Sequence, residues 1–274
     1  MTAAPGKPVV RVGAVGDLHC PRTPASVLEP LLGEIARSCD VLALCGDLTD
    51  RGTPEEAQVL ARELTKVVKI PIVAVLGNHD YESGRHDEVK AVLSGAGVSV
   101  LDGEACEILG VGFAGVKGFG GGFGQRALQP WGEETIKRFV REAVEEALRF
   151  ESALARLRTR ERFGLLHYSP IQSTVEGEPP EIFAFLGSSR LEEPLARYPV
   201  RAVFHAHAHR GRPEGKTRQD VPVFNVSLPL LQSAFPDRPA FHLIEALTAD
   251  SPESTDGDSC NSVNPPPVEA GRHP

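Results

Sequence analysis

The chain has 274 residues, of which 41% are apolar, and its formal net charge is −8 at pH 7. This length and composition suit one large α/β domain with its own packed core. The sequence contains no basic stripe, so we expect nucleic acid only as a substrate. The five cysteines lack CxxC spacing, which excludes a thiolate zinc motif and disfavours a disulfide framework.

The first residues contain no apolar leader segment, and no run of 18 apolar residues occurs along the chain. These features predict neither a secretory signal nor a transmembrane helix. Together with the scattered cysteines, they lead us to expect a soluble cytoplasmic protein without membrane contact. Nothing in the sequence indicates the oligomeric state.

The first third of the chain predicts alternating strands and helices. Apolar runs and helical periodicity place the elements in the order strand 9–15, helix 25–37, strand 40–45, helix 54–67 and strand 70–76. Thr53 and Pro54 are suited to the N-cap and the first position of the second helix. This β-α-β-α-β order predicts a parallel sheet with helices on its faces.

The rest of the chain predicts further strands around one long helix. The expected elements are a short helix at 88–94, strands at 98–101 and 106–114, an amphipathic helix at 133–160, and strands at 163–166, 200–204, 221–226 and 240–247. We therefore divide the chain into a short N-terminal extension (1–8), one catalytic domain (9–248) with a helical insertion at about 125–162, and a disordered acidic, proline-rich tail (249–274).

A glycine-rich segment, residues 115–124, precedes the long helix. Its spacing matches neither the Walker motif nor GxGxxG, so a nucleotide-cradling role is poorly supported. Two interpretations stay open at this point. The segment is either a flexible loop or a substrate-facing loop that brings Lys117 near a phosphate.

Polar side chains follow most of the predicted strands at the point where each strand ends. The first three strands run into Gly16-Asp17-Leu18-His19, Gly46-Asp47-Leu48-Thr49-Asp50 and Gly77-Asn78-His79-Asp80, and two later strands run into His167 and His205-Ala206-His207-Ala208-His209. Ligands of open α/β sheets gather outside the carboxyl ends of the strands. We therefore expect these side chains to form one site.

The donor atoms of this set are carboxylates, imidazoles and an amide oxygen. Without thiolates, the set suits Mn, Fe, Zn or Co better than copper(I) or an iron–sulfur cluster. The candidates outnumber the ligands of one tetrahedral ion, which favours two ions. A pair about 3.5–4 Å apart can share a bridging carboxylate, clamp a phosphoryl oxygen and supply hydroxide at neutral pH.

In this order the motifs resemble the five-part signature of the calcineurin-like metallophosphoesterases, over roughly residues 9–247. The resemblance implies a fold of two mixed β-sheets packed as a sandwich and flanked by helices. It also implies a dinuclear centre in which Asp47 bridges the ions. The first ion would be held by Asp17, His19 and His209, and the second by Asn78, His167 and His207.

The resemblance further assigns the proton donor near the leaving group to His79, with Asp50 or Asp80 orienting it. One departure concerns the last motif, because Ala206 replaces a glycine that is usual in the family. The extra His205 allows His205/His207 as an alternative ligand pair, although Arg210-Gly211 after His209 favours His207/His209. His205 would then make a hydrogen bond in the core or behind the ligands.

The function implied is hydrolysis of phosphoric esters, monoesters or diesters, by metal-activated hydroxide with a histidine general acid. The expected cofactors are two divalent or trivalent transition-metal ions, Mn, Fe or Zn, and the expected partner is a small phosphoester substrate. A pyrophosphohydrolase or nuclease on the same centre is the alternative among enzymes. A non-catalytic binding scaffold of the same fold is the alternative from another class, and it predicts missing ligands.

Overall fold

Two β-sheets pack face to face in the computed structural model, which describes residues 9–248. The first sheet has the strand order β11-β1-β2-β3-β4 and consists of β1 (Val9–Val15), β2 (Val41–Cys45), β3 (Ile72–Val75), β4 (Val98–Val100) and β11 (His242–Leu247). The second has the order β5-β6-β7-β8-β10-β9 and consists of β5 (Glu104–Ile108), β6 (Val111–Gly115), β7 (Glu161–Leu165), β8 (Ala202–His205), β9 (Glu214–Lys216) and β10 (Pro222–Asn225).

Six α-helices connect these strands. They are α1 (Ala25–Ser38), α2 (Pro54–Val67), α3 (His86–Gly95), α4 (Glu134–Arg156), α5 (Phe183–Leu186) and α6 (Leu228–Ala234). The start of α2 is a capping box, because the Thr53 hydroxyl accepts from the Glu56 amide while the Glu56 carboxylate accepts from the Thr53 amide. No helix between Val9 and Thr248 combines the length and the hydropathy needed to cross a bilayer.

Both sheets are mixed, with parallel strands in the centre and antiparallel strands at edges. Strands β1 to β4 are parallel and β11 is antiparallel to β1. Strands β6, β7, β8 and β10 are parallel, and β5 and β9 run antiparallel at the two edges. The carboxyl ends of the parallel strands therefore lie together at one edge of each sheet.

The parallel strands are apolar on both faces because each sheet is covered on both sides. Between the sheets, β1 contributes Val12 while the second sheet contributes the stacked rings of Phe113, Phe163 and Phe204. Helices α1, α2 and α3 cover the outer face of the first sheet. Helix α4 covers the second, burying side chains such as Phe150. The predicted two-sheet α/β sandwich is confirmed.

Several details differ from the sequence-based expectations. The single strand expected at 106–114 is a hairpin, β5 and β6, which turns at Leu109-Gly110 with positive φ at both residues. Helix α4 ends at Arg156, so the expected helix is too long by four residues. Strand β9 and helices α5 and α6 were not expected at all. The N-terminal extension and the tail lie outside the described residues.

Candidate metal centre

The polar side chains that follow the parallel strands meet at the carboxyl edge of the two sheets. The first sheet supplies Asp17 and His19 after β1, Asp47 after β2 and Asn78 after β3, and the second supplies His167 after β7 and His207 and His209 after β8. Three groups of these and neighbouring residues have donor atoms close enough together to hold a cation. Two of them are described below, and the third consists of His19, Asp50 and His79 and shares His19 with the first. The centre therefore joins the two sheets.

The first group is Asp17, His19 and His209, in which one donor atom of each residue lies within 4.8 Å of the others. His209 Nε2 is 3.3 Å from Asp17 Oδ2. The His19 ring is buried and neither of its nitrogens has a hydrogen-bond partner. Leaving two buried ring nitrogens unpaired is costly unless they bind something else. Such a ring fits a metal ligand.

The second group is Asp47, His167 and His207. His167 Nε2 lies 3.4 Å from Asp47 Oδ1 and 2.8 Å from the side-chain oxygen of Asn78, so Asn78 extends this group to four residues. His167 Nδ1 lies 3.0 Å from the Cys45 carbonyl oxygen, which fixes the ring with Nδ1–H donating and Nε2 free to bind. This set fits a second cation.

Asp47 belongs to the second group, and its carboxylate also approaches the first. Its Oδ1 is 3.4 Å from His167 Nε2, whereas its Oδ2 is 3.8 Å from His19 Nε2. One carboxylate oxygen thus faces each group, which is the arrangement that a bridging ligand requires. The two groups are the sets that the resemblance assigned to two ions.

Four of these residues adopt the left-handed backbone conformation, which is uncommon for residues other than glycine. They are Asp17 (φ 56°), His19 (φ 44°), Asp47 (φ 48°) and His207 (φ 71°). Such strained backbone costs free energy and is concentrated at functional sites, where the surrounding structure maintains it. Here it directs several side chains from different strands toward one point.

Two glycines leave room for the ligands. A β-carbon at Gly77 would overlap the Asp47 amide and carboxylate, and one at Gly46, which also has φ of 80°, would overlap the His167 ring. The glycine that precedes each acidic or amide residue is therefore required by close packing within the centre. From the sequence alone, these glycines could be explained only by turn formation.

Burial dominates the electrostatics of the centre. It lowers the pKa of His19 to about 4, so the ring is neutral and able to bind a cation near neutral pH. Burial and the carboxylates of Asp17 and Asp80 raise the pKa of Asp47 well above its usual value. A nearby cation would relieve this penalty, because it favours the ionised carboxylate.

Asp17 behaves differently from Asp47. Burial by itself would raise the pKa of Asp17, but the hydrogen bond from His209 and the charges of His167 and His209 lower it below its usual range. The Asp17 carboxylate also accepts from the His207 amide at 3.0 Å. Asp17 is thus ionised and anchored to the loop after β8.

The three proposed catalytic residues occupy distinct positions. His79 Nδ1 lies 2.7 Å from the backbone oxygen of Asp50, and the His79 and His19 rings meet edge to face at 4.6 Å. The Asp50 carboxylate points instead toward His19, with Oδ1 3.7 Å from Nδ1. Of the two residues predicted to orient His79, Asp50 contacts it, through the main chain.

Asp80 has different neighbours. Its buried carboxylate accepts hydrogen bonds from the amides of Leu48, Thr49 and Gly77 and from the Thr49 hydroxyl, at 2.6 to 3.1 Å. These bonds tie the loop after β2 to the loop after β3. Asp80 therefore positions Asp47 and Asn78 relative to each other.

His205 is the last residue of β8 and lies outside the groups of candidate ligands. His205 is buried, and its Nε2 lies 2.8 Å from the Thr174 hydroxyl. The groups of candidate ligands contain His207 and His209 and not His205, so His207/His209 stays the predicted pair. Ala206 packs against Gly16, and a β-carbon added at Gly16 would lie only 2.6 Å from the β-carbon of Ala206. The exchange of glycine for alanine is therefore accommodated by Gly16.

Sequence reasoning missed one residue that holds the loop after β8. Asn225 ends β10 and is buried, and its amide nitrogen donates to the Ala208 and Thr174 carbonyls at 2.8 and 3.3 Å. Ala208 lies between the two ligand histidines, so Asn225 fixes their spacing. The available signal was the same as for Asn78, a polar residue directly after an apolar strand.

The glycine-rich segment lies next to the centre. The amides of Gly118, Gly121, Gly122 and Gly124 donate to acceptors within the protein, so they are not available to a phosphate. The Lys117 carbonyl accepts from the His167 amide, while its ammonium is buried near three aromatic rings. Of the two interpretations left open by the sequence, the flexible loop is the less favoured, because hydrogen bonds join this segment to α4 and to residues 184–189.

Comparison with known proteins agrees with this geometry. The family model of the calcineurin-like phosphoesterases matches residues 10–211. The chain is similar in structure to a phosphopantetheinyl hydrolase from Mycobacterium tuberculosis, with a TM-score of 0.63 and 15% identity over 93% of this chain and 100% of that one. It is also similar to the protein TT1561 of Thermus thermophilus, with a TM-score of 0.50 and 15% identity over 82% of this chain and 92% of that one.

At 15% identity these two structures show a shared fold. A comparison with curated protein sequences finds no match. The family model, in contrast, spans most of the chain and includes the segments after β1, β2, β3, β7 and β8 that form the centre. The chain therefore belongs to the calcineurin-like phosphoesterases, enzymes that act on phosphoric esters.

Proposed function

We propose that this protein hydrolyses phosphoric monoesters or diesters at a dinuclear metal centre. Asp17, His19 and His209 would hold one ion, and Asn78, His167 and His207 the other. The observation that carries the proposal is the position of Asp47, whose two carboxylate oxygens face one histidine of each group, at 3.8 and 3.4 Å. A bound pair of ions would polarise the phosphoryl group and activate a water for attack.

His79 is proposed as the general acid. Its Nδ1 faces the Asp50 carbonyl oxygen, so Nδ1 carries a proton and Nε2 faces away from the main chain. Its ring lies against His19, a ligand of the first group, and is about one-third exposed. A protonated Nε2 could donate to the leaving oxygen of a bound ester.

A hydrolysis screen tests this function. The metal-loaded protein, assayed with matched chromogenic monoesters and diesters, should cleave at least one class. Elemental analysis after reconstitution with Mn, Fe or Zn should approach two ions per chain. Asp47→Asn should weaken binding of both ions, because one carboxylate faces both groups.

Asp220→Asn is the matched control, since Asp220 lies in an exposed turn between β9 and β10. It should retain both ions and full turnover. One tightly held ion per chain, unaffected by Asp47→Asn, would contradict the dinuclear centre. Failure of the loaded protein to cleave any phosphoric ester would contradict the proposed activity.

The binding-scaffold alternative predicts that ligands are missing, and all seven predicted ligands meet at the centre. We therefore favour an enzyme over a scaffold. The cytoplasmic location and the use of Mn, Fe or Zn stay predictions. The assays above address the metals and decide between monoesters and diesters.

A further inference from the structure

Four aromatic side chains form a continuous row that begins at the metal centre, and we call this row the aromatic wall. The Tyr168 ring lies 4.6 Å from the His207 ring, and the Phe119 ring follows at 5.9 Å from Tyr168. Phe139 lies 4.8 Å from Phe119, and Phe185 lies 6.2 Å from Phe139. Four segments contribute to it, namely the loops after β7 and β6, helix α4 and helix α5.

Phe185, the residue at the far end of the aromatic wall, also contacts the centre through its main chain. The backbone oxygen of Phe185 lies 3.1 Å from His207 Nε2. The Phe185 side chain is 58% exposed, although Phe139 borders it on one side. An accessible ring is thus fixed on a residue whose main chain contacts a predicted metal ligand. The catalytic roles assigned above give this ring no function.

The packing of the wall depends on the glycine-rich segment. A β-carbon at Gly120 would approach the Ala184 carbonyl oxygen to 2.6 Å and the Phe139 ring to 3.2 Å. The Gly121 amide donates to the same carbonyl at 2.7 Å. These contacts hold α5, and with it Phe185, in a defined position. An exposed ring on a rigid support is suited to binding, because little side-chain freedom is lost when a ligand contacts it.

The buried side of the wall is already occupied. The Lys117 ammonium lies 4.9 Å from the Phe119 ring centroid and 5.3 Å from that of Tyr168, and it donates to the Gly118 carbonyl. Tyr168 itself is buried, whereas Phe119 and Phe139 are partly exposed. A ligand at the centre can therefore reach the wall chiefly at Phe185.

We propose that Phe185 is a specificity-determining residue that binds a planar ring in the leaving group of the phosphoester. The inference rests on the proposed function, because it places the scissile phosphate at the dinuclear centre. A leaving group that extends from the centre past His207 would bring its ring onto Phe185. Aromatic contacts with a flat ring favour offset-stacked or edge-to-face geometry, which a single exposed phenylalanine can provide.

The experiment compares two substrates that differ only in the ring. Adenosine 5′-monophosphate and ribose 5-phosphate share the same primary leaving oxygen, so their intrinsic reactivity is matched. We expect the metal-loaded protein to favour the ring-bearing substrate in kcat/KM by roughly 10- to 100-fold, the usual range for one stacked base. Phe185→Ala should remove most of this preference, and Phe185→Trp should restore it.

Because the bond to His207 comes from the main chain, Phe185→Ala retains it, and its metal content should equal that of the wild type. Leu148→Ala is the matched control. Leu148 is also 58% exposed but lies further along α4, beside Glu151 and Arg190. This variant should keep the full preference for the ring.

In the kinetic comparison, three results would overturn the inference. The first is a wild type without preference between the two substrates, and the second is an equal loss on both in Phe185→Ala, which would indicate a structural role. The third is an alkyl phosphate of similar size whose kcat/KM falls as much in Phe185→Ala as that of the ring-bearing substrate. This result would indicate that Phe185 recognises apolar volume and not a planar ring.

Equilibrium binding of the same two compounds to the loaded protein separates this inference from the proposed function. A preference for the ring that is lost in Phe185→Ala supports the inference even if neither compound is hydrolysed. Equal affinities overturn it, whatever the result of the hydrolysis screen.

Discussion

Asn78 and His79 are adjacent in the chain, yet their side chains have different partners. The Asn78 oxygen lies 2.8 Å from His167 Nε2, whereas His79 Nδ1 lies 2.7 Å from the Asp50 carbonyl oxygen. Asn78→Ala should therefore lower the metal content and lower activity through metal loss. His79→Ala should keep its metal and still bind vanadate, while turnover of esters with poor leaving groups falls by roughly 10²- to 10⁴-fold.

The leaving group distinguishes an acid from a structural residue. A nitrophenolate needs little protonation, so His79→Ala should lose much less activity on a nitrophenyl ester than on an alkyl ester. The measurement is kcat for both esters in each variant, together with elemental analysis. Equal losses on both esters, or loss of metal in His79→Ala, would show that the role assigned to His79 is wrong.

Gly77 illustrates how closely the centre is packed. A methyl group at this position would overlap the Asp47 amide and carboxylate. Gly77→Ala should lower the free energy of unfolding by roughly 1–3 kcal/mol, as overpacked sites do, and should reduce binding of both ions. Urea unfolding and elemental analysis provide the measurements.

Gly95→Ala is the control for Gly77→Ala. Gly95 ends α3, and a β-carbon there would meet no atom within 4 Å. Alanine has the higher helix propensity, so this variant should be unchanged or more stable by up to about 1 kcal/mol. If Gly77→Ala also retained its stability and both ions, the close approach of Gly77 to Asp47 would not be required.

At the scale of elements, the sequence predicted the central strands better than the edges. Strands such as β2 are apolar at every position because both faces are covered, so they stand out from the helices around them. Strand β9, Glu-Gly-Lys, has no apolar side chain and exists only because it pairs with β10 at the sheet edge. Such a strand cannot be found from hydrophobic periodicity.

Hydrophobic periodicity also failed to predict part of the candidate site. The meeting of the strand-end side chains could be predicted because parallel strands place their carboxyl ends at one edge. The contact between the Phe185 carbonyl and His207 could not, since it joins two segments 22 residues apart that have no shared pattern. The hydrogen bonds of Gly118 and Gly121 to α4 and α5 were hidden for the same reason.

His242 links two strands that belong to different sheets. His242 lies on β11, and its ring stacks on that of Phe224 on β10, with the ring centroids 3.9 Å apart. Burial lowers the pKa of His242 to about 4. Between pH 6.5 and 4 the unfolded chain binds a proton at this residue and the folded chain does not. The free energy of unfolding should therefore fall as the pH falls through this range.

His242→Phe keeps a ring against Phe224 and removes the titration. Urea unfolding at pH 7 and at about pH 4.5 should show a smaller loss of stability in the variant than in the wild type, by on the order of 1–3 kcal/mol. The histidines of the metal centre are common to both proteins, so their effect cancels in the comparison. The same loss in both proteins would contradict the role of His242.

At the scale of the whole molecule, the metal centre is a junction between the two sheets. Asp17, Asp47 and Asn78 extend from the first sheet, and His167 and His207 from the second. The sheets also share a large apolar interface, so the fold does not depend on the centre alone. A cation bound by both sheets would nevertheless oppose their separation, because the unfolded chain has no preformed site.

Removal of metal should therefore destabilise the entire domain. With each ion present at about 100 times its dissociation constant, binding contributes about 2.7 kcal/mol per ion, so removal of both ions by chelation should lower Tm by roughly 10–20 °C, reversibly on re-addition. Asn78→Ala and His167→Ala remove ligands from different sheets, and each should reduce this shift. An unchanged Tm after chelation, with elemental analysis confirming that the ions are gone, would mean that the centre does not hold the sheets together. A shift that only one of the two variants reduces would instead indicate ions bound by a single sheet.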